Sequence, residues 1–368
     1  MKKIREFLRR KNVVFSAKRY FIDGMSAMAQ GLFCTLLVGT ILNTIGQQFH
    51  IGFLNVAVVT IGAGEGAMSY TIGSLASAMV GPAMAVAIGS ALQAPPLVLY
   101  SLIGVGFATN YMGGAGGPLA VFFVAILAAE IGKLVSKETR IDILVTPIVT
   151  TLSGIGIAAL IAAPIGTAAR AVGQFIMWAT ELQPFFMGIL VSVAVGVALT
   201  LPISSAAICA AFGLAGLAGG AAVAGCCAQM IGFAVMSFRE NRWGGLVAQG
   251  VGTSMLQMPN ILKNVRVWIP PTLASAITGP IATCLFRLEM NGAPVSSGMG
   301  TCGFVGQIGV YTGWVNDVLS GAKNAITAFD WAGLILISFV LPAVLTWLIA
   351  LPLRKRGWIK EGDLKLEL

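Results

Sequence analysis

Long apolar runs, separated by short polar or glycine-rich breaks, fill most of this chain. The runs Ile143–Ala163 and Trp331–Pro352 are each long enough to cross a hydrocarbon core about 30 Å thick. Three further segments have the same character: Gly24–Thr44, Ile72–Leu92 and Phe185–Leu201. The pattern predicts an all-α polytopic membrane protein with about ten transmembrane helices.

Several of the apolar runs are interrupted in a way that ordinary loops do not explain. Phe53–Tyr70 is broken at Gly62–Gly66, and Pro96–Glu130 divides into two short apolar stretches. Gly244–Asn260 has basic residues on both flanks, which places both of its ends on one side of the membrane. Irregular backbone is tolerated at membrane depth only inside protein or beside water. We therefore expect re-entrant or broken hairpins here and at Gly298–Tyr311.

One short block occurs twice. Leu75–Pro82 (LASAMVGP) returns as Leu273–Pro280 (LASAITGP), with six of eight positions identical. Each copy follows a glycine-spaced segment and precedes a glycine cluster, which predicts that residues 53–132 and 244–314 are related segments. The flanking lysines and arginines give the two copies opposite directions through the membrane, so the internal repeat is predicted to be inverted. Many transporters build a midplane site from such repeats.

The composition supports the membrane assignment, and the distribution of charge indicates three regions in the chain. Hydrophobic residues make up 57% of it and charged residues 10%, too little charge to cover a soluble surface. The net charge of +9 is concentrated at the two ends, which favours cytoplasmic termini over a nucleic-acid partner. We expect a basic amphipathic segment at residues 1–21 lying on membrane lipid, a transmembrane domain at 22–353 and a cytoplasmic tail at 354–368.

Residues typical of enzymes are scarce. The six cysteines lie in or beside apolar segments without a CxxC pair, and His50 is the single histidine. The signatures GxxxxGK[ST], HExxH and GxSxG are missing from the sequence. We therefore predict no metal, no cofactor and no catalytic residue, so that any catalysis would need another subunit.

Glu65 is the sharpest candidate for a functional residue. An ionisable side chain inside an apolar segment is costly and usually faces a cavity or a partner. Glycines on both sides allow a ligand to come close to the backbone. Glu65 could accept hydrogen bonds from a polar solute, carry a proton or bind a cation. Alternatively, it could pair with a distant arginine or lie exposed in an outer loop.

The second copy has neutral polar residues at the matching place. Thr253 takes the position equivalent to Glu65, with Gln249 and Ser254 beside it, and this pairing suits an uncharged polyhydroxylated ligand better than a simple ion. Alternatively, these side chains bond only their own backbone. We expect Glu65 and this segment to meet near the midplane, together with the glycine-rich hairpin at Gly113–Gly117 or at Gly298–Gly303.

Further polar residues near the breaks extend this candidate site. Asn110 could be a ligand or a helix cap, and the polar run Asn291–Thr301 could line the site or form an external loop. The predicted substrate-binding residues are Gly62, Gly64, Glu65, Asn110, Gln249, Gly250, Gly252, Thr253, Ser254, Asn291, Ser297 and Thr301.

At Pro259–Pro280, at Gly298–Gln307 and at Gly62–Gly66, the chain resembles a bacterial family. These are the stand-alone membrane IIC components of the phosphoenolpyruvate-dependent sugar phosphotransferase system, in the branch that includes the perfringolysin regulator-like proteins. The resemblance covers about residues 15–355. It implies a homodimer in the inner membrane that binds a sugar and passes it inward, with IIA- and IIB-type cytoplasmic subunits as partners. The Asn-Glu-Pro motif typical of glucose-superfamily members has no counterpart here, since Asn291–Pro294 contains no acid.

Three functions are consistent with these features. The leading hypothesis is a membrane transporter for a small polar solute, with sugar as the first substrate class. The first alternative is a regulatory membrane protein that senses a ligand without transporting it. The second is an ion-coupled transporter or channel in which Glu65 and the glycine-rich breaks conduct or couple.

Overall fold

The computed structural model describes residues 2–62 and 67–366, and helices dominate this part of the chain. In chain order the helices are α1 (Lys2–Arg10), α2 (Gly24–Leu32), α3 (Val38–Gln48), α4 (Gly52–Asn55), α5 (Ile72–Ala78), α6 (Val80–Ala91), α7 (Pro96–Gly113), α8 (Gly117–Val135), α9 (Asp142–Thr180), α10 (Pro184–Thr200), α11 (Ser205–Ala211), α12 (Gly216–Met236), α13 (Phe238–Val247), α14 (Met258–Lys263), α15 (Ile269–Pro280), α16 (Val305–Leu319), α17 (Ala328–Ile335) and α18 (Leu341–Lys355). Two short antiparallel strands, β1 (Val59–Ile61) and β2 (Met68–Tyr70), pair with Ile61 opposite Met68.

Short π and 3-10 turns join or extend many of these helices. The π turns are Lys18–Asp23, Phe33–Leu37, Ala248–Gly252, Ile281–Leu285 and Leu336–Val340. The 3-10 turns are Gly114–Gly116, Ser254–Gln257, Val265–Trp268, Pro294–Gly298 and Cys302–Phe304. Single π turns inside α-helices often occur at functional sites.

Within the described residues, five helical stretches are long and apolar enough to cross a membrane. They are Lys18–Gln47, Pro96–Val135, Asp142–Thr180, Gly216–Met236 and Ala328–Lys355. A sixth results if α5 and α6, bent by 49° at Met79, form one span. The prediction of an all-α polytopic membrane protein is therefore confirmed, whereas the number ten stays a prediction.

The chain divides into two compact units, the first formed by residues 1–39 and 54–168. In this unit α6 contacts α2, α7 and α8. Gly81 of α6 and Gly106 of α7 face each other so closely that a Cβ on either would overlap the other's carbonyl oxygen. Small residues allow such close helix contact where no hydrophobic effect drives association.

Helices α7 and α8 form an antiparallel hairpin that turns at Gly114. A Cβ on Gly132 would lie 2.9 Å from Val98, and one on Gly113 would lie 3.2 Å from Ala120. The first residue of the turn, Gly114, has a φ of 52°, a conformation that favours glycine. The hairpin expected within Pro96–Glu130 is present.

Helix α9 differs from expectation. The sequence predicts a span at Ile143–Ala163 and a separate interfacial segment near Arg170–Glu181, but one helix covers Asp142–Thr180 with Pro147 and Pro164 inside it. At about 1.5 Å per residue, 39 residues extend well beyond a 30 Å core. Proline is tolerated inside transmembrane helices when neighbouring groups satisfy the freed carbonyl, and this explains why Pro164 does not end α9.

The segment Phe53–Tyr70 also differs. Instead of two half-helices, its described parts form the one-turn helix α4 and the hairpin of β1 and β2. Valine, isoleucine and tyrosine favour strands, and this local preference exceeds the helical tendency of the short apolar runs. Gly62 follows β1 with a φ of 94° and is exposed. Gly64 and Glu65 lie outside the described residues.

The second unit comprises residues 40–53 and 169–368. Its centre is α12, which contacts α10, α15 and α18 and is buried along most of its length. Glycines again set the helix contacts, since a Cβ on Gly225 of α12 would overlap the carbonyl of Ser192 in α10. Gly279 of α15 meets Gly188 of α10 in the same way.

The two LASA blocks adopt related but unequal structures. In the first copy Thr71 caps α5 in a reciprocal capping box with Ser74, and the block then bends into α6. In the second copy α15 follows the 3-10 turn Val265–Trp268 and continues into a π turn. In each copy the helix packs against a neighbouring helix at a pair of glycines, Gly81 with Gly106 and Gly279 with Gly188. The inverted relation between the two copies stays a prediction.

Candidate functional site

A buried polar segment interrupts the second unit between α13 and α15. α13 is kinked at Arg242, whose φ is 53°, and is followed by the π turn, an extended residue at Thr253 and a 3-10 turn. Such interruptions leave backbone N–H and C=O groups without helical partners. Six polar side chains of this region are buried: Ser237, Gln249, Thr253, Ser254, Gln257 and Asn260.

Five side chains from five elements meet in what we call the polar belt: Thr200, Gln229, Ser254, Trp268 and Thr272. The hydroxyls of Thr200 and Ser254 lie 2.8 Å apart, and Thr200 also donates to Gln229 Oε1 at 3.3 Å. Gln229 Oε1 accepts the indole N–H of Trp268 at 2.9 Å. Gln229 Nε2 donates to the Thr272 hydroxyl at 3.2 Å. Gln229 therefore links Thr200, and through it Ser254, to Trp268 and Thr272.

The chemistry of the belt is neutral. Hydroxyl and amide groups can each donate or accept, so the belt can exchange its internal hydrogen bonds for bonds to hydroxyl groups of a ligand. Trp268 is only partly buried and adds an amphipathic ring. A few convergent polar groups in apolar surroundings are typical of small-molecule sites. The arrangement favours an uncharged, hydroxylated solute.

A second row of polar side chains, the amide chain, comprises Ser237, Gln249, Gln257 and Asn260. Gln249 Nε2 donates to Ser237 Oγ at 2.8 Å and to the carbonyl of Gly245 at 2.9 Å. Gln257 Nε2 donates to Gln249 Oε1, and Asn260 Nδ2 donates to Gln257 Oε1, both at 2.8 Å. Ser254 and Gln257 lie in the same 3-10 turn, so that one turn carries members of both rows.

The structure brings the glycine-rich run Gly298–Gly303 to this segment. The 3-10 turn Cys302–Phe304 contacts the π turn Ala248–Gly252, and Gly300 lies against Cys226 of α12. Ser297 and Thr301 are fully buried; Ser297 donates to the carbonyl of Leu214 at 2.6 Å, and Thr301 donates to the Met230 sulfur at 3.6 Å. Both hydroxyls therefore have protein partners.

Other predicted residues of the second copy have local structural roles. The Thr253 hydroxyl accepts the backbone N–H of Met255 at 3.2 Å and so caps the 3-10 turn. Gly250 and Gly252 are buried in the π turn, where Gly250 faces Ile231 and Ala234 of α12.

Asn291 lies in a polar cleft of about 320 Å³. Its amide donates to Asp317 Oδ2 at 2.9 Å and to Glu289 Oε2 at 3.2 Å. The cleft is lined by Phe286, Arg287, Glu289, Asn291, Trp314, Asp317, Ala322, Lys323 and Asp330. Five of these residues are charged and partly or fully exposed, in contrast to the polar belt: Arg287, Glu289, Asp317, Lys323 and Asp330.

Asn110 belongs to the first unit. It lies in α7 where that helix passes close to glycines of both neighbouring helices: a Cβ on Gly81 would lie 2.6 Å from Asn110 Cβ, and one on Gly117 would lie 2.5 Å from Asn110 Oδ1. The glycines leave the room that this side chain occupies.

Seven residues of these two rows were not among the predicted binding residues: Thr200, Gln229, Ser237, Gln257, Asn260, Trp268 and Thr272. Gln229 had a usable signal, because it is the single strongly polar side chain in the otherwise apolar helix α12. Thr200 and Trp268 gave none, since each stands at the end of a segment where polar and aromatic residues are common.

Comparison with known proteins gives one match. The family described as the phosphotransferase system EIIC component matches residues 22–366, nearly the whole chain. No curated protein and no solved structure matches the chain. In the parts of the chain that the structure describes, no group of three or more histidine, cysteine or acidic side chains could hold a metal ion.

Proposed function

The chain belongs to the EIIC family of the sugar phosphotransferase system, whose members are membrane permease components, and we propose that it binds a neutral sugar at the polar belt. In this proposal the sugar hydroxyls replace the bonds among Thr200, Gln229 and Ser254. Trp268 packs against the apolar face of the ring. The chain then releases the sugar inward for phosphorylation by a separate IIB-type subunit.

One observation carries this proposal. Gln229 is fully buried in the central helix α12, and its side chain forms hydrogen bonds with residues of three other elements. A polar residue inside a membrane bundle is costly and usually serves the function. Because Gln229 bonds α10, α15 and the 3-10 turn Val265–Trp268, a ligand that replaces its bonds would also change how these elements are held together.

The remaining parts of the proposal follow from the family. We infer a homodimer in the bacterial inner membrane with both termini cytoplasmic, and partners of the IIA and IIB type. The net charge concentrated at the two ends supports this orientation. The regulator-like branch stays a narrower proposal within the family.

The test is a binding screen of the purified full chain against sugars, polyols, amino acids and inorganic ions, read by calorimetry. We expect saturable binding of at least one neutral sugar or polyol and no dependence of its affinity on Na⁺ or on pH between 6 and 8, because the described belt contains only neutral groups. Binding of ions alone would contradict the proposal.

A ligand-sensing role is a second candidate, and the C-terminal tail favours it. Residues 358–366 dock on the same segment that carries Gln249 and Ser254. A sensor would bind the same sugar but show no uptake in liposomes when IIA, IIB and a phosphoryl donor are supplied. A transporter would show uptake under those conditions.

A further inference from the structure

The C-terminal tail of the chain lies against the polar segment of the second unit. The tail leaves α18 where Arg354 forms an ion pair with Glu240 at 3.2 Å and donates to the carbonyl of Met236 at 2.9 Å. Two tail side chains are buried, Ile359 and Leu364, and the guanidinium of Arg266 lies 5.2 Å from the Trp358 ring centroid. The described part of the tail is therefore packed against other residues of the second unit.

Six hydrogen bonds join this tail to three asparagines and one glutamine of the segment 241–264. Asn241 Nδ2 and Gln257 Nε2 both donate to the carbonyl of Leu364, at 2.8 and 3.0 Å. Asn241 Oδ1 accepts the backbone N–H of Leu366 at 2.8 Å, and Asn260 donates to the carbonyl of Lys365 at 2.9 Å. Asn264 donates to the carbonyl of Trp358 at 2.9 Å and to the Asp363 carboxylate at 2.8 Å.

Five of these six bonds go to backbone atoms of the tail. Asn241 bonds both a carbonyl and an N–H of the tail, as a neighbouring strand would. Only Leu364 adds a fully buried side chain at this place. The surface of Asn241, Gln257 and Asn260 therefore recognises a peptide segment by its main chain, and we call it the amide surface.

Gln257 links the amide surface to the candidate site. Its Nε2 donates both to the carbonyl of Leu364 in the tail and to Oε1 of Gln249. Buried amides cannot lose their partners without replacement, so water must take the place of the tail when the tail leaves. Water at Gln257 reaches the amide chain directly, and Ser254 lies in the same turn.

We propose that the amide surface is a peptide-binding site, that the chain's own segment 358–366 occupies it, and that release of this segment opens a water path to Ser237 and Gln249. The relation of that path to solute passage rests on the proposed function; the peptide site does not. A partner that opens the path must offer main-chain carbonyl and N–H groups to these amides, with an apolar side chain in the place of Leu364.

The test measures water access to Ser237, which is fully buried and bonded to Gln249. In the full chain, Cys34 and Cys284 are changed to serine because both are exposed, and Ser237→Cys serves as the reporter for a charged maleimide. Leu364→Asp should release the tail and raise the labelling rate at least tenfold. Lys360→Asp is the matched control, because its side chain is exposed and the substitution should leave the rate unchanged.

A peptide with the sequence of residues 356–368, added to the Leu364→Asp protein, should restore slow labelling. The four buried native cysteines, Cys209, Cys226, Cys227 and Cys302, report unfolding in the same sample. Equal labelling rates for the two tail variants would overturn the proposal, as would labelling of all cysteines without protection by the peptide. The assay contains no sugar, so its failure and the failure of the proposed function are distinguishable.

Discussion

At the scale of single residues, Gln229 is the group on which the polar belt depends most. Gln229→Leu keeps the approximate size but leaves the indole N–H of Trp268 and the hydroxyl of Thr272 without their observed partner. An unsatisfied buried group costs about 1–3 kcal/mol. We expect a loss of stability in that range, measured by thermal unfolding in detergent. Gln183→Leu, at an exposed position, should change stability by less than about 0.5 kcal/mol.

Glu65 is a separate residue-scale prediction. If its carboxylate accepts a hydrogen bond from a sugar hydroxyl, Glu65→Gln removes a charge-assisted bond worth roughly 1.5–3 kcal/mol. Affinity for the sugar should then fall about ten- to a hundredfold. If Glu65 instead couples a proton or a cation, Glu65→Gln should abolish coupled uptake in liposomes. Unchanged binding and unchanged uptake would show that Glu65 has a structural role.

The third residue-scale prediction concerns pH and the N-terminal segment. Glu138 forms ion pairs with Lys11 and Arg10, and the hydrogen bond from Lys11 is the largest cause that lowers the pKa of this carboxyl. A lowered pKa means that the contact stabilises the docked segment above the ordinary carboxyl pKa, and that this contribution is lost as the pH falls through the lowered value.

Docking can be followed by a fluorophore at Glu6→Cys in α1, with Cys34 and Cys284 replaced by serine. Fluorescence should be constant at neutral pH and change as acid protonates Glu138. Glu138→Gln should show the acid signal already at pH 7, and no further change on acidification. A titration that is identical in both proteins would refute the role of this ion pair.

At the scale of elements, glycine crossings position the helices of each unit. In α7, Gly106 faces the backbone of Gly81, whereas a Cβ on Gly104 would meet nothing within 4 Å. Gly106→Ala must push α6 and α7 apart, and such overpacking typically costs about 1–3 kcal/mol. Gly104→Ala should not destabilise the protein. Thermal unfolding of the two variants side by side checks this, and equal midpoints would contradict the crossing as a source of stability.

Much of the element scale could be predicted from sequence. The spans at Gly24–Thr44, Phe185–Leu201 and Trp331–Pro352 lie within or within one residue of observed helices, because their apolar runs are long and continuous. For Phe53–Tyr70 the sequence predicted a broken helix or a re-entrant element, whereas its described parts form α4 and two short paired strands, because a short apolar run with glycines fits a β-hairpin equally well. α9 joined two predicted segments because proline is tolerated inside a transmembrane helix.

The candidate site was predictable only in part, for a physical reason. Gln249 and Ser254 stood out because they lie at an interruption with basic flanks. Their partners Thr200 and Gln229 come from α10 and α12, and contacts between distant helices leave no periodic signal in the sequence. The tail gave no signal either, since its main chain makes five of the six bonds and main-chain atoms are the same in every sequence.

At the scale of the whole molecule, the chain is a membrane permease component whose C-terminal tail docks on the polar segment of the second unit. The family covers both units, since its match runs from residue 22 to residue 366. Its C-terminal limit includes the docked tail, so the tail belongs to the matched domain. The inverted repeat, the homodimer and the cytoplasmic termini stay predictions at this scale.

The most direct test of the central claim is equilibrium binding of a radiolabelled sugar, chosen by the screen, to two variants of one helix. Thr272 of α15 accepts a bond from Gln229, whereas Thr278 of the same helix bonds carbonyls of its own turn. Thr272→Val should weaken the sugar about five- to tenfold, the value of one hydrogen bond, and Thr278→Val should bind like the wild type. Equal affinity for both variants and the wild type would contradict a sugar site at the polar belt.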